Sequence, residues 1–468
     1  MEEPLFRVIS NLRKTGNLKE AWDKGCPAVQ ESPNDSYLKG AFFWVCYEYL
    51  KQVQVQVKDR AKQNNGNQTP NQGELDRFDF FLDWIIWLNI PPGGYEYRSL
   101  LLLFQNNLEY VPKLVLLLAK FGISLLNDED KIPFQNDHGE SPSLALKFVR
   151  KVAKAWMEIE EVRQISIDQL ILLMTQVREI AQDKQHKIWL DYDEAKCLLM
   201  AGRNDEARDF VIRVLKKKQS ESWAWGALAA TYRTTDPNAA IKLFALGISH
   251  SHDEKFALKL LKGIAPLLAD NGLTSEASMC VQRAVKCYQD NGWRVKADLE
   301  KLMNQPWFDD SVDMLLLKPF ITEIKQGAEE YLHGPTKECF GVVINLHKSG
   351  KGCHVYINEN ESIAVPLCLF EGKKPSLGDY IKMAYSGDDK DANKSFIRAN
   401  LTEFREMSGI GSIIDELRIT DKGFGFVGDT FVPPFLISAD MGNKVVEVLR
   451  YKDSDKKNWS ALKIRVVE

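Results

Sequence analysis

The chain has 468 residues, about three times a common domain length of roughly 150, so two to four domains are expected. Hydrophobic residues make up 44% and charged residues 27%, with 11 Trp, 23 Phe and 14 Tyr, which is material for several cores and excludes a disordered chain. Lys and Arg number 61 against 65 Asp and Glu, a net charge of -4, so the chain lacks a histone-like or membrane-surface polybasic signature and any nucleic-acid site must be local.

The opening segment, MEEPLFRVISNLRK, is acidic and then amphipathic, without the basic start and apolar centre of a signal peptide. The cysteines at 26, 46, 197, 280, 287, 339, 353 and 368 form no Cys-x-x-Cys pair and no zinc-type spacing with histidine, which fits a reducing compartment. The richest apolar runs, 100–104 and 114–119, fall far short of the roughly 20 residues of a membrane span. A soluble cytoplasmic protein is expected, with no membrane contact, no metal and no cofactor.

Residues 16–33 read GNLKEAWDKGCPAVQESP, with Gly16, Ala21, Ala28 and Pro33 spaced to close one helix, let two helices approach and stop a hairpin. The pattern returns with Gly202, Ala207 and Val214, with Ala240, Phe244 and Gly247, and with Gly272, Ala277 and Ala284. Trp223, Gly226 or Ala227, and Tyr232 suit the first helix of the middle unit. This spacing resembles the tetratricopeptide repeat, whose period is about 34 residues. Three consecutive units near 189–290 and one at the N-terminus are expected; an ordinary bundle with small residues at its crossings is the alternative.

Between them, 60–73 (RAKQNNGNQTPNQG) is polar and aperiodic, a disordered loop insertion by composition. From 75 to 157 the chain reads as further helical pairs, broken by Pro91-Pro92-Gly93-Gly94 and by a polar loop around 127–143. One helical solenoid over 1–330 is expected, because a lone hairpin cannot bury its apolar face.

After Gly334-Pro335 the pattern becomes short β-rich runs. Five candidate strands fall in 336–404 and five in 407–468, and the sets align on Gly341 with Gly411, Lys351-Gly352 with Lys422-Gly423, and Val365-Pro366 with Val432-Pro433. Two tandem copies of a small barrel are expected. The fold class is therefore multidomain α plus β, an all-α helical-repeat solenoid followed by two all-β barrels.

In KGFGFV, 422–427, strand alternation sets Phe424 and Phe426 on one face and Gly423 and Gly425 on the other. Phe431, on the next strand, completes a three-ring platform of the kind on which bases stack at roughly 1–3 kcal/mol each. The segment closely resembles the RNA-binding motifs of cold-shock domains, five-stranded OB-fold barrels that bind single-stranded nucleic acid. That resemblance implies that Phe424, Phe426 and Phe431 stack on bases and that Lys422 meets phosphate. Pro433 stands where the family's second motif ends in His, and Asp415 takes the place of an exposed Trp, putting an acid beside the platform. Residues 407–468 hold 9 basic and 9 acidic side chains, so attraction for phosphate falls to local lysines such as Lys452, Lys456, Lys457 and Lys463. In the first barrel Cys353, Val355 and Ala364 occupy the aromatic positions, which implies a spacer or protein-docking module. His354 and Tyr356, on the other face of that strand, are read as core packing.

No catalytic constellation emerges. His250 and His252 stand two apart, turned away from a common helix face. HKSGKGC, 347–353, lacks the order of a phosphate loop and reads as a hairpin turn. Asp137-His138 lies in a loop without a nucleophile, and Lys147, Arg150, Lys151 and Lys154 read as the solvated face of a helix.

The domain order is similar to that of the tetratricopeptide and cold-shock-like proteins of prokaryotic TOTE conflict systems. It implies a non-catalytic adaptor that binds a protein partner in its solenoid groove and single-stranded RNA or DNA at its terminal barrel. A pure protein-interaction scaffold, its phenylalanines packed on a partner or on the solenoid, is the alternative.

Overall fold

The computed structural model describes residues 3–63, 68–137, 139–370, 372–386, 395–438, 441–453 and 458–467. The chain divides into two compact units, the first ending at Lys325 and the second beginning at Gln326.

The first unit is helical, interrupted by one short hairpin. It opens with α1 (Leu5–Lys14), α2 (Leu18–Glu31), α3 (Ser36–Gln63), α4 (Gln72–Leu88), α5 (Tyr95–Phe104) and α6 (Pro112–Phe121). A two-stranded hairpin, β1 (Phe134–Asn136) and β2 (Gly139–Ser141), lies within the stretch expected to be loop. Then come α7 (Leu144–Glu158), α8 (Ile167–Ile180), α9 (Lys187–Met200), α10 (Asn204–Lys217), α11 (Ser222–Tyr232), α12 (Pro237–Ser249), α13 (Glu254–Asp270), α14 (Thr274–Asp290), α15 (Ala297–Met303) and α16 (Leu317–Ile324). No helix among the described residues is long and apolar enough to cross a membrane.

The small residues identified in the sequence sit where helices turn or touch. Gly16, Gly202 and Gly272 adopt φ of +85°, +76° and +80°, the left-handed backbone that ends α1, α9 and α13. Ala21, Ala207, Ala240, Ala277 and Ala284 are fully buried. A Cβ on Gly226 would lie 2.1 Å from the Leu260 side chain, and one on Gly263 would lie 3.0 Å from the Phe244 ring. Three successive hairpins, α9–α10, α11–α12 and α13–α14, therefore pack closely through side chains too small to hold them apart.

Polarity in 60–73 understates its order. The helix α3 runs on to Gln63, because Arg60 donates to both carboxylate oxygens of Glu74 (3.2 and 2.7 Å) and to the Thr69 carbonyl (2.7 Å). Glu74 in turn forms a capping box with Asn71 at the start of α4. Residues 64–67 of that stretch lie outside the described residues. The polar loop before α7 is ordered in the same way, by a bidentate pair from Arg98 to buried Asp130 (2.7 and 2.8 Å). Burial alone would raise the Asp130 carboxyl, but Arg98 and the Asn127 amide hold it below the usual carboxylate range.

The second unit starts with the single turn α17 (Glu330–His333) and continues as β-structure. Strands β3 (Lys337–Leu346), β4 (Gly352–Asn358), β5 (Glu361–Pro366), β6 (Tyr380–Ser386) and β7 (Ser395–Leu401) form an antiparallel sheet in the order β5-β4-β3-β6-β7. Strands β8 (Ile410–Ile419), β9 (Gly425–Val427), β10 (Thr430–Val432), β11 (Val445–Lys452) and β12 (Trp459–Val466) form a closed barrel in the order β10-β12-β11-β8-β9, sealed by parallel pairing of β10 with β12. The two copies thus differ. Among the described residues no ladder joins β5 to β7, and one isolated bridge, Phe370 with Ala399, stands in that region. Pro366, without an amide hydrogen, ends β5 and leads into a 3-10 turn, 367–369.

Each copy has its own core, Val343, Cys353, Val355, Val365, Ile381 and Met383 in the first and Leu417, Val427, Val432, Val446 and Val448 in the second. The copies also touch. Tyr356 of β4 is 2% exposed, its ring 5.9 Å from that of Tyr451 and its hydroxyl donating to the Ser408 carbonyl at 3.3 Å. Gly409 lies directly on it, at φ +74°, where a Cβ would stand 2.0 Å from the Tyr356 hydroxyl. Two ion pairs flank the contact, Lys452–Glu359 at 3.2 Å and Lys463–Asp379 at 2.6 Å.

Candidate nucleic-acid interface

The segment 420–432 is a tight hairpin. Gly423 donates its amide to the Thr420 carbonyl (2.9 Å), while the amide and hydroxyl of Thr420 both donate to the Phe424 carbonyl (2.8 Å each). Lys422 is thereby left exposed at the tip. Along β9 and β10 the alternation is clean: Gly425, Val427, Thr430 and Val432 are buried, whereas Phe426 is 40% exposed and Phe424 and Phe431 are half-buried. Gly425 allows β8 to come close, since a Cβ there would meet the Arg418 carbonyl at 2.9 Å.

The three rings form one cluster. Phe424 and Phe431 have centroids 5.6 Å apart, Phe424 and Phe426 5.9 Å, and Phe426 and Phe431 6.0 Å, with interplanar angles of 45°, 82° and 70°. Phe426 pairs across the strands with Phe431 on one side and with Arg418 on the other. A guanidinium-bearing residue and two rings therefore form one cross-strand row on the outer face of the barrel. Arg418 was not singled out in the sequence. The signal that finds it is register: it lies directly opposite an outward phenylalanine on the neighbouring strand.

Three sequence expectations are corrected. By strand alternation Asp415 does not share the platform's face: it pairs with buried Val446 and has the parity of Ile413 and Leu417, although it is itself exposed, its carboxylate 3.7 Å from where a Cβ on Gly428 would stand. Two further exposed acids stand on the same elements, Glu416, two residues before Arg418 on the same face, and Asp421 in the turn. Lys452 and Lys463 are not free cations: they are engaged by Glu359 and Asp379 of the first β-copy. Burial would raise the Asp379 carboxyl, but the Lys463 hydrogen bond, the Ser376 amide and the nearby Lys373 charge hold it below the usual range. Lys456 and Lys457 lie outside the described residues. Arg450 is likewise held within the barrel, 2.5 Å from Asp429 and over the Trp459 ring at 4.2 Å.

The first copy also departs from expectation. Cys353 and Val355 are fully buried in its core, so they do not stand where the rings stand in the second copy. Pairing of Cys353 with Val365, matched to that of Gly425 with Val432, sets His354 in the place of Phe426, Ala364 in that of Phe431 and Asn345 in that of Arg418. His354 and Tyr356 are outward rather than core residues; the His354 ring lies 5.1 Å from His347, and Tyr356 is buried against the second copy. The three-ring cluster is absent from this face; Ala364 stands at an aromatic position as the sequence alignment indicated, whereas Cys353 and Val355 do not.

Elsewhere, His250 lies parallel to the Trp225 ring at 6.0 Å, and 347–352 closes a hairpin turn through His347 and Gly352 (2.9 Å). His138 lies outside the described residues. The cations on α7 are less solvated than expected: Arg150 pairs with buried Asp193 (2.7 Å), and Lys151 and Lys154 both reach buried Glu109.

Comparison with known families matches residues 412–464, the second barrel, to "S1/CSD-like domain 2 of the TOTE conflict systems". Residues 188–328 match a "Domain of unknown function (DUF7017)". No curated protein matches the chain.

Proposed function

We propose that this chain is a non-catalytic cytoplasmic adaptor of a prokaryotic conflict system, which holds a protein partner on its helical unit and binds single-stranded RNA or DNA on the second barrel. The observation that carries the reading is the open cluster of Phe424, Phe426 and Phe431 with Arg418 in the same outer row, on a barrel that matches a cold-shock-like domain of the TOTE systems. Rings of this kind take bases without regard to sequence, because every base has a π-face. Lys422 at the hairpin tip and Arg418 beside Phe426 supply the phosphate contacts. The hairpins from α9 to α14 are read as tetratricopeptide-like repeats on the strength of their turn glycines and buried alanines, and such arrays offer extended partner-binding surfaces.

One observation favours a second reading, a scaffold that binds protein alone: Glu416 and Asp421 border the platform, and the lysines that would offset them are tied up between the two β-copies. Fluorescence anisotropy of labelled single-stranded RNA and DNA, titrated with the wild type and with Phe424→Ala/Phe426→Ala, separates the two. Binding that disappears in the double variant is expected; no binding by folded wild type at tens of micromolar would leave the scaffold.

A further inference from the structure

The first helices of the three hairpins, α9, α11 and α13, line a groove of about 630 Å³. Six cationic side chains face it, Lys196, Arg233, Lys255, Lys259, Lys262 and Lys296, against a single acid, Asp298. This concentration is local, since the chain as a whole carries a net charge of -4. Two of the six are neutralised, Lys196 by Asp193 (2.7 Å) and Lys262 by Asp298 (2.5 Å), and Lys255 sits over the Trp293 ring at 5.6 Å. Arg233, Lys259 and Lys296 are exposed, and among the described residues none has an acidic partner within ion-pair distance. They come from three places in the chain, the end of α11, the first half of α13 and the start of α15, so the fold gathers charge that no run of sequence contains.

The aromatic lining decides between two anionic occupants. A single strand held by base stacking needs open ring faces. The Trp223 ring is stacked on Trp189 at 5.6 Å, met by Tyr192 at 4.8 Å and anchored through its indole N–H on Glu221 at 3.2 Å. Phe244 and Tyr288 are buried. Only Phe256 among these lining rings is broadly open, 67% exposed. One apolar contact within a field of cations suits carboxylates spaced along a peptide that carries an occasional apolar side chain.

We infer that this groove docks an extended acidic segment of a protein partner, with Arg233, Lys259 and Lys296 pairing its carboxylates and Phe256 receiving an apolar side chain. The inference rests on the reading of the helical unit as the partner-holding part and gives that partner its chemistry. A segment of about ten residues, at roughly 3.3 Å each, is long enough to cross three helices spaced about 9 Å apart.

The test uses the full chain and a fluorescein-labelled Asp/Glu peptide of about that length containing one Leu, its Asn/Gln counterpart, and a single-stranded RNA of similar length. The acidic peptide should bind the wild type and the neutral one should not, and the exposed-site variant Arg233→Gln/Lys259→Gln/Lys296→Gln should weaken the acidic peptide about tenfold or more. Phe256→Ser should weaken it without changing its salt dependence. Equal binding of the acidic peptide by wild type and triple variant, or none at about 100 µM, overturns the inference. So does RNA binding that the triple variant loses while Phe424→Ala/Phe426→Ala keeps it, which would make the groove a nucleic-acid site. A natural partner retained by the triple variant overturns the acidic groove and leaves the adaptor reading intact; a chain that binds neither partner nor oligonucleotide removes that reading as well.

Discussion

Among the described residues, the proposed function assigns phosphate contact to two cations around the phenylalanine platform, Arg418 and Lys422, and this fixes how salt should act on binding. Each phosphate contact to a single strand contributes about -0.7 to the slope of log K against log salt, so two contacts give about -1.4. Between 50 and 200 mM salt, a fourfold change, affinity for a single strand should fall about sevenfold. Arg418→Gln and Lys422→Gln should each flatten the slope by about 0.7. Lys452→Gln should leave it unchanged, because Lys452 is committed to Glu359. Stacking carries the rest: Phe426→Ala should weaken binding by roughly 1–3 kcal/mol, about 5- to 150-fold, at every salt concentration. Anisotropy titrations at four or more salt concentrations read all of this. A wild-type slope of about -3 or steeper, or a Lys452→Gln effect as large as that of Arg418→Gln, would refute the assignment of the phosphate contacts.

Other outcomes follow from the join between the two β-copies. Gly409→Ala forces a side chain into left-handed backbone, at about 1–2 kcal/mol, and drives its Cβ into Tyr356, so amide exchange across β4 should accelerate; unchanged protection by mass spectrometry would show that the contact is not formed. Asp379 has a folded pKa below its unfolded one, so its contribution is present above about pH 4 and is lost as pH falls through the folded value. Acid should therefore loosen the join in the wild type and have less effect on Asp379→Asn, as followed by exchange at matched pH. Among the cysteines, Cys368 is exposed, whereas burial pushes the thiols of Cys197 and Cys280 up to about 12 and that of Cys353 up to about 11. A disulfide reagent on the native chain should reach Cys368 first, ahead of half-buried Cys26 and Cys339, and a fast phase undiminished in Cys368→Ser would contradict its exposure.

The sequence made some of this legible and hid the rest for identifiable reasons. The ring cluster could be read because Phe426 and Phe431 stand on short strands, with Phe424 just before the first, where alternation determines the face. The helical hairpins could be read because glycine at their turns and alanine at their contacts leave a spaced record. Asp415 and Cys353 were set on the wrong faces because a strand's faces depend on register, and one residue of slip exchanges them. Val355 follows Gly352 by three positions whereas Val427 follows Gly423 by four, so an alignment on the shared Lys-Gly pair carries that slip into the first copy. The engagement of Lys452 and Lys463 was invisible because their acidic partners lie 93 and 84 positions away. The cationic groove was hidden for the same reason, with Lys296 joining Arg233 and Lys259 only through the fold.

Tyr356, under Gly409 and between two ion pairs, gives the first β-copy a purpose that does not depend on its own outer face. In the proposed function it would act as a splint. A bare barrel on a flexible tether could present its rings in any direction, so a strand lying across them could enter from either end. The neighbouring copy is tied to β11 through Lys452 and to β12 through Lys463, whereas Phe426 and Phe431 stand on β9 and β10. Under the proposed nucleic-acid reading, a strand's path over the rings would then have a fixed bearing relative to the first copy.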